Sequence, residues 1–258
     1  MTAPHYPDLP YLEILAQRAS EIMRKNFHLG MKKEWKSDGT PVTTTDIAVD
    51  TLVTETVKRD FAHLHILSEE GAPAAAFAAE YVLICDPLDG TIPFSHGIPI
   101  STFCVSVLQN GKPIVALIHD PFLNRTWSAV HSEGSFCNGK KNTVSKKYDL
   151  KGSIISALFS PLAFPQVYRA LEYPGAFLMN CCSAAYFGGL IASGEAVASI
   201  FATKTLWETP AMQLIVEEAG GKATDLRGNG LNYSHGAIDG HIISNGFVHD
   251  MLIRLING

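Results

Sequence analysis

The chain has 258 residues, 47% of them hydrophobic, with a formal net charge of −5 and a pI near 6.0. That is enough apolar material for one large globular core or two smaller ones, and with no more than two Lys or Arg residues ever adjacent it excludes a broad basic surface for nucleic acid. The absence of an 18-residue apolar run argues against a membrane span, the first residues lack a signal-peptide pattern, and five cysteines without a CxxC pair read most simply as reduced thiols of a cytoplasmic protein.

Leu12, Leu15, Ala16, Ala19, Ile22 and Met23 recur at helical spacing and predict an amphipathic helix over 8–28, stopped by Gly30. Ile47, Val49, Leu52, Val53 and Val57 predict a second over 45–60, opened by Thr43-Thr44-Thr45-Asp46, which taken alone is an N-cap cluster. His65-Ile66-Leu67 is a short strand that runs into Ser68-Glu69-Glu70-Gly71, in isolation an exposed acidic turn. The Ala-rich stretch 72–80 reads as a short helix. From Ser101 to Val130 the texture is β: Thr102–Leu108, Asn110-Gly111 and Pro113–His119 form a hairpin, because Asn-Gly is the strongest two-residue hairpin signal, and Arg125–Val130 is a third strand. Gly134 to Gly139 is a further turn. Beyond about 150 the pattern alternates, with strands at 153–157, 176–179, 196–201, 222–224 and 241–243 and helices at 162–172, 183–193, 207–219 and 246–256. An α+β first half, 1–147, and an α/β second half, 148–258, are expected, joined near Lys146–Lys151.

The densest chemistry lies in Tyr81-Val82-Leu83-Ile84-Cys85-Asp86-Pro87-Leu88-Asp89-Gly90-Thr91. An apolar run ends in two carboxylates and then a Gly-Thr pair. A buried strand delivering Asp86 and Asp89 at its carboxyl end would suit a hard cation such as Mg²⁺, which takes oxygen ligands and leaves room for a substrate phosphate. Gly90 permits close backbone approach, and the amides after it can receive an anion if a helix starts there. A capped turn explains the same hexapeptide by local preference alone. Leu206-Trp207-Glu208-Thr209-Pro210 followed by Glu217-Glu218-Ala219-Gly220-Gly221 likewise reads singly as a helix N-terminus and a Gly C-cap.

Taken in order, these segments resemble the inositol monophosphatase family of Mg²⁺-dependent, lithium-sensitive sugar phosphatases. The resemblance runs almost end to end: Val42-Thr43-x-x-Asp46, Glu69-Glu70, Asp86-Pro-Leu-Asp-Gly-Thr91 and Trp207-Glu208 through Glu218-Ala-Gly-Gly221, with echoes at Cys182-Ser183-Ala184-Ala185 and Ser244-Asn245-Gly246. It implies a layered αβαβα fold, a homodimer and a small phosphorylated metabolite as partner. By the same resemblance Glu69, Asp86 and the Leu88 carbonyl would hold one metal, and Asp86, Asp89 and Glu208 a second. The amides of Gly90 and Thr91 would receive the phosphate, and Asp46 with the Thr91 hydroxyl would deprotonate a water for in-line attack on phosphorus. Thr91 needs that carboxylate, since its own pKa is far too high for a base. Ser183 and Lys36 are candidate substrate contacts, although a solvated surface lysine is the simpler account of Lys36.

The chain also departs from the family pattern. Glu208 stands where Asp usually follows the Trp, one methylene longer at a metal with strict distances. Pro93 replaces an Asn, Phe201 a sugar-contacting Glu, and Cys182 the Gly before Ser-Ala-Ala. Cys181-Cys182 at a helix start could carry a lowered thiol pKa, and His96 behind the signature reads as a loop histidine. The expected activity is hydrolysis of a small polyol or sugar phosphate, with inositol monophosphate the default and histidinol phosphate, fructose 1,6-bisphosphate or 3′-phosphoadenosine 5′-phosphate as alternatives. A catalytically faded member kept as a regulatory dimer is the reading from another class.

Overall fold

The computed structural model describes residues 5–36, 41–71, 79–158, 168–169, 171, 175–234 and 236–257. Helix α1 (Leu9–Asn26) starts behind Asp8, which accepts from the Tyr11 amide at 3.1 Å, and it buries Leu12, Leu15, Ala16, Ala19 and Met23. It ends at Phe27, before the positive φ of Gly30. A two-stranded ribbon of β1 (Glu34–Trp35) and β2 (Pro41–Val42) leads to α2 (Thr44–Asp60).

The large sheet holds seven strands in the order β3 (His65–Ser68), β4 (Tyr81–Asp89), β5 (Thr102–Gln109), β6 (Lys112–Asp120), β7 (Arg125–Val130), β8 (Gly134–Cys137) and β9 (Lys140–Lys141). Only β3 and β4 run parallel within it; the remaining pairs are antiparallel. The expected hairpin is present, with Asn110 at φ 49° and Gly111 at φ 75°, the left-handed pair that matches strand twist. Between β4 and β5 stands the five-residue helix α3 (Thr91–Ser95). The smaller sheet has the order β11 (Phe177–Met179), β10 (Ile154–Leu158), β12 (Ala198–Thr205), β14 (Ile238–Ser244), β13 (Lys222–Thr224), with β10 parallel to both neighbours and β14 antiparallel to both of its own.

Three helix layers complete the stack. α1 and α2 cover one face of the large sheet, where Leu12, Leu15, Val49 and Val53 meet Leu83, Phe103, Val105 and Leu117. α4 (Ala184–Ala192) and α5 (Thr209–Glu217) fill the space between the sheets: Phe187, Met212 and Ile215 join Ile118 and Trp127 of the large sheet to Ala223 and Ile243 of the small one. Ile155, Ile200 and Ile242 point to the opposite face of the small sheet and pack Leu252 of α6 (His249–Asn257). The order is therefore αβαβα, with alternate residues of each strand serving different layers.

Some boundaries move. The helices expected at 207–219 and 246–256 start later, because Glu208 is an N-cap and Asn245 accepts from the Phe247 and Val248 amides ahead of α6. The strand expected at 241–243 extends to Ile238–Ser244. The helices read at 72–80 and 162–172 lie largely outside the described residues. All five cysteines are free thiols, and among the described residues no helix is long and apolar enough to cross a membrane.

The middle layer is thin because α4 carries Gly188 and Gly189. A Cβ at Gly189 would lie 2.4 Å from Trp127 Cδ2, and one at Gly188 would lie 2.7 Å from Met212 Cγ. The buried indole cannot swing aside, since its Nε1 donates to Ser193 Oγ at 2.8 Å. Overpacking a well-filled core costs about 1–3 kcal/mol, against about 1 kcal/mol gained by Ala over Gly in a helix. Gly189→Ala is expected to lower the urea midpoint of unfolding despite its better helix propensity. An unchanged or raised midpoint would show that the layers can part without loss.

Candidate active site

Strand β4 is buried almost throughout because both faces are covered and both edges are paired, which is why its sequence is a continuous apolar run. Asp86 pairs with Cys104 and Asp89 with Thr102, so three steps on β4 face two on β5. Pro87, which has no N–H to continue the ladder, lies inside this bulge. In a regular strand, residues three apart point to opposite faces. The bulge restores the phase, and both carboxylates reach the same region with only 5% and 8% exposure.

Asp86 accepts from the Leu88 amide at 3.0 Å through Oδ1. Burial, followed by repulsion from Glu69, Asp89 and Glu208, pushes its pKa well above the ordinary carboxylate value. Burial also lifts Asp89, to about 6, against the pull of its hydrogen-bond donors and with Glu69 adding repulsion. Ser183 Oγ donates to its Oδ2 at 2.5 Å, the Ala184 and Ala185 amides at the start of α4 donate at 3.1 and 2.9 Å, and Thr102 Oγ1 at 3.3 Å. Ser183 was expected to face substrate. It is fully buried, and its hydroxyl is spent on Asp89 because the 182–183 turn folds that side chain under α4.

Gly90 follows with φ +91°, and a Cβ there would stand 2.8 Å from the Ile100 carbonyl, so only glycine fits. Its conformation starts α3 and brings Thr91 to Asp46. The Thr91 hydroxyl donates to Asp46 Oδ1 at 2.9 Å, with the Leu88 carbonyl a second acceptor at 3.2 Å. Asp46 Oδ2 accepts from the Thr43 amide at 2.8 Å and from the Thr43 hydroxyl, the two halves of a capping box at α2. The N-cap reading of Thr43–Asp46 is thus correct and compatible with a site role, because one carboxylate oxygen caps and the other meets Thr91. Asp46 is 1% exposed, and burial raises its pKa against the pull of its Thr43 and Thr91 hydrogen bonds.

Glu69 and Glu70 do not form an exposed turn. Lys36 Nζ bridges them, 3.1 Å from Glu69 Oε1 and 2.7 Å from Glu70 Oε1, so this lysine is not a solvated surface residue. Burial alone would lower the Lys36 pKa; its two carboxylate partners outweigh burial and raise it. Burial pushes Glu70 up to about 6, with Lys36 pulling the other way. Glu208 is 6% exposed at the cap of α5 and close enough to repel Asp86. The structure therefore draws Asp86, Asp89, Glu69 and Glu208 toward one region and sets Asp46 with Thr91 beside it through the Leu88 carbonyl. Among the described residues no three His, Cys, Asp or Glu side chains are gathered tightly enough to hold an ion as they stand. Glu69 leans to Lys36, and Asp89 is tethered to α4.

The remaining expectations divide. Phe201 is half-buried and lies flat against the buried His241 ring, 5.6 Å between centroids with a 19° tilt, across the β12–β14 pair. It has no group to bond a sugar hydroxyl. His96 Nδ1 bonds the Ile92 carbonyl and its Nε2 lies 3.2 Å from Lys33 Nζ, a loop role as expected. The thiols of Cys181 and Cys182 are raised by burial rather than lowered, with Asp89 adding repulsion at Cys182, so the helix start does not activate them. Three contributors escaped sequence reading: Thr43 as a donor to Asp46, signalled by its T-x-x-D spacing; Glu70 as the Lys36 partner; and Thr102, which meets Asp89 only because of the bulge.

The sequence matches the inositol monophosphatase family over residues 10–257. A histidinol-phosphatase of Mycobacterium tuberculosis is 30% identical over 270 residues, covering 98% of each chain. A Thermotoga maritima IMPase structure superposes with a TM-score of 0.88 at 25% identity over 96% of both chains. An IMPase/NADP phosphatase structure complexed with Mg²⁺ and phosphate gives 0.83 at 22% identity, over 96% of this chain and 93% of that one, a likeness of fold. The family match and these phosphatase relatives define a phosphoric monoester hydrolase. The chain belongs to the inositol monophosphatase family and is a phosphatase.

A hydrogen bond to a charged group contributes about 1.5–3 kcal/mol, and Ser183 makes the shortest one to Asp89. Ser183→Ala is expected to lower phosphate release by about ten- to a hundredfold at pH 7, with Ser183→Thr retaining most of it. Unchanged kinetics in the alanine variant would remove Ser183 from the site.

Proposed function

We propose that this phosphatase hydrolyses a small polyol or sugar phosphate with Mg²⁺ as cofactor. The observation that carries the reading is the Thr91–Asp46 pair set against the Asp86, Asp89, Glu69 and Glu208 carboxylates. The donor set fits the ion: Mg²⁺ takes hard oxygen ligands, and these buried carboxylates repel one another until a cation screens them. Glu69, Asp86 and the Leu88 carbonyl would hold one ion, and Asp86, Asp89 and Glu208 a second. When bound, the cation polarises the phosphoryl group and lowers the pKa of water.

The chain's own residues supply the rest. The amides of Gly90 and Thr91, at the turn into α3, receive phosphate oxygens. The Thr91 hydroxyl, bonded to Asp46 Oδ1, orients the attacking water and relays its proton to Asp46. Burial makes Asp46 a stronger base than a solvated aspartate, and Thr43 fixes its orientation from the far side. Water oxygen bonds to phosphorus as the bond to the substrate alcohol oxygen breaks. Lys36 is the cation beside Glu69, placed to meet an anionic substrate at the rim. Residues 1–147 carry the metal and phosphate signature, and 148–258 complete it through Glu208 and the α4 hold on Asp89. The family resemblance favours a cytoplasmic homodimer.

Within the substrate class, Phe201 disfavours leaving groups that need a carboxylate to hold their hydroxyls. Inositol 1-phosphate, histidinol phosphate, fructose 1,6-bisphosphate and 3′-phosphoadenosine 5′-phosphate form the discriminating panel. Phosphate release from at least one of them, abolished by chelation and restored by Mg²⁺, is the expected result. A folded protein that releases phosphate from none of them, or does so equally well without a divalent cation, would overturn the reading.

A further inference from the structure

A second basic feature lies apart from the carboxylates. Between Arg24 and Lys36 the chain carries Arg24, Lys25, Lys32, Lys33 and Lys36 against the single acid Glu34, in a protein of net charge −5. Lys33 is engaged with His96 and the Trp35 ring, and Lys36 with Glu69 and Glu70. Lys25 and Lys32 are exposed and have no ion pair or hydrogen bond among the described residues. Both line a cavity of about 480 Å³ together with Asn26, His28 and the Thr43–Thr45 start of α2. Among the described residues its lining contains no carboxylate.

We infer that this cavity is a binding site for a compact polyanion, of the bisphosphate or pyrophosphate-bearing metabolite type, separate from the catalytic carboxylates. Its volume lies in the range of small-ligand sites. The α2 terminus is not what carries the site. Its capping box already occupies the Thr45 amide through Thr43 Oγ1 at 3.2 Å, and Asp46 takes the Thr43 amide. The two unpaired lysines carry it, one from the last turn of α1 and one from the loop before β1, lining the same cavity from different elements. Lysine is a point-charge binder of phosphate, and the Asn26 amide and the exposed Thr44 hydroxyl can donate to the remaining oxygens. A polyanion, rather than a monoanion, matches two lysines with no acid among the described lining residues. Thr43 lines the cavity and also holds Asp46, so the site stands one side chain from the proposed base.

The test is calorimetric titration of inorganic pyrophosphate into full-length protein in excess chelator. Without a divalent cation the carboxylate pocket repels the probe and no turnover occurs, so the outcome does not depend on the phosphatase reading. Wild-type protein is expected to bind, and Lys25→Ala/Lys32→Ala to bind at least tenfold more weakly. Lys112→Ala/Lys140→Ala, which removes the same charge from exposed positions on the large sheet, is expected to bind as wild type does. No binding by the wild type, undiminished binding by the Lys25/Lys32 variant, or equal weakening in both double variants would each overturn the site.

Discussion

Several carboxylates crowded at the end of one buried strand are the constraint on which the structure turns. Asp86 and Asp89 are almost without solvent, and Glu69 and Glu208 add like charge from other elements. Ionised groups in such surroundings are costly unless they are paired, hydrogen-bonded or bound to a cation. The fold answers with donors drawn from separate layers. The start of α4 supplies two amides and a serine to Asp89, the α2 capping box holds Asp46, and Lys36 bridges Glu69 and Glu70. Both sheets must pack on the α4–α5 layer for these donors to arrive, which ties the small glycines of α4 to the chemistry at β4.

Much of this was legible in the sequence. The apolar run into Asp86-Pro-Leu-Asp-Gly-Thr announced a buried strand ending in a site, since a strand covered on both faces loses its polar alternation. The Asn110-Gly111 hairpin and the amphipathic α1 followed from local rules that act over a few residues. What sequence reading missed was non-local. The bulge that places Asp86 and Asp89 on one side depends on pairing with β5, and the burial of Glu70 depends on Lys36 arriving from 34 residues away. Ser183 was read as a substrate contact because its neighbours carry the family resemblance. Only the packing of α4 shows that its hydroxyl turns inward.

The departures from the family pattern fall on one side of the site. The Asp46, Glu69, Asp86, Asp89 and Thr91 positions stand as the resemblance requires for handling phosphate and water. Glu208 and Phe201 fall where the second ion and the leaving group would be. Glu208 is buried and within repulsive reach of Asp86, so its extra methylene does not take it out of the cluster. Phe201 is paired with His241 across two strands, which gives it a structural reason to be aromatic. In the proposed reading, chemistry and substrate choice are thus carried by different residues.

The central claim, that these carboxylates form a cation site whose repulsion the cation relieves, is tested most directly by thermal unfolding of wild type and Asp86→Asn with and without Mg²⁺. A ligand that binds only the folded state stabilises it by about 2.7 kcal/mol at a hundredfold excess over Kd. The account predicts a concentration-dependent rise in the wild-type Tm with Mg²⁺, and an Asp86→Asn variant that is more stable than wild type in chelator and gains little when Mg²⁺ is added. An Asp86→Asn protein that is less stable in chelator, or that responds to Mg²⁺ as fully as wild type, would contradict it.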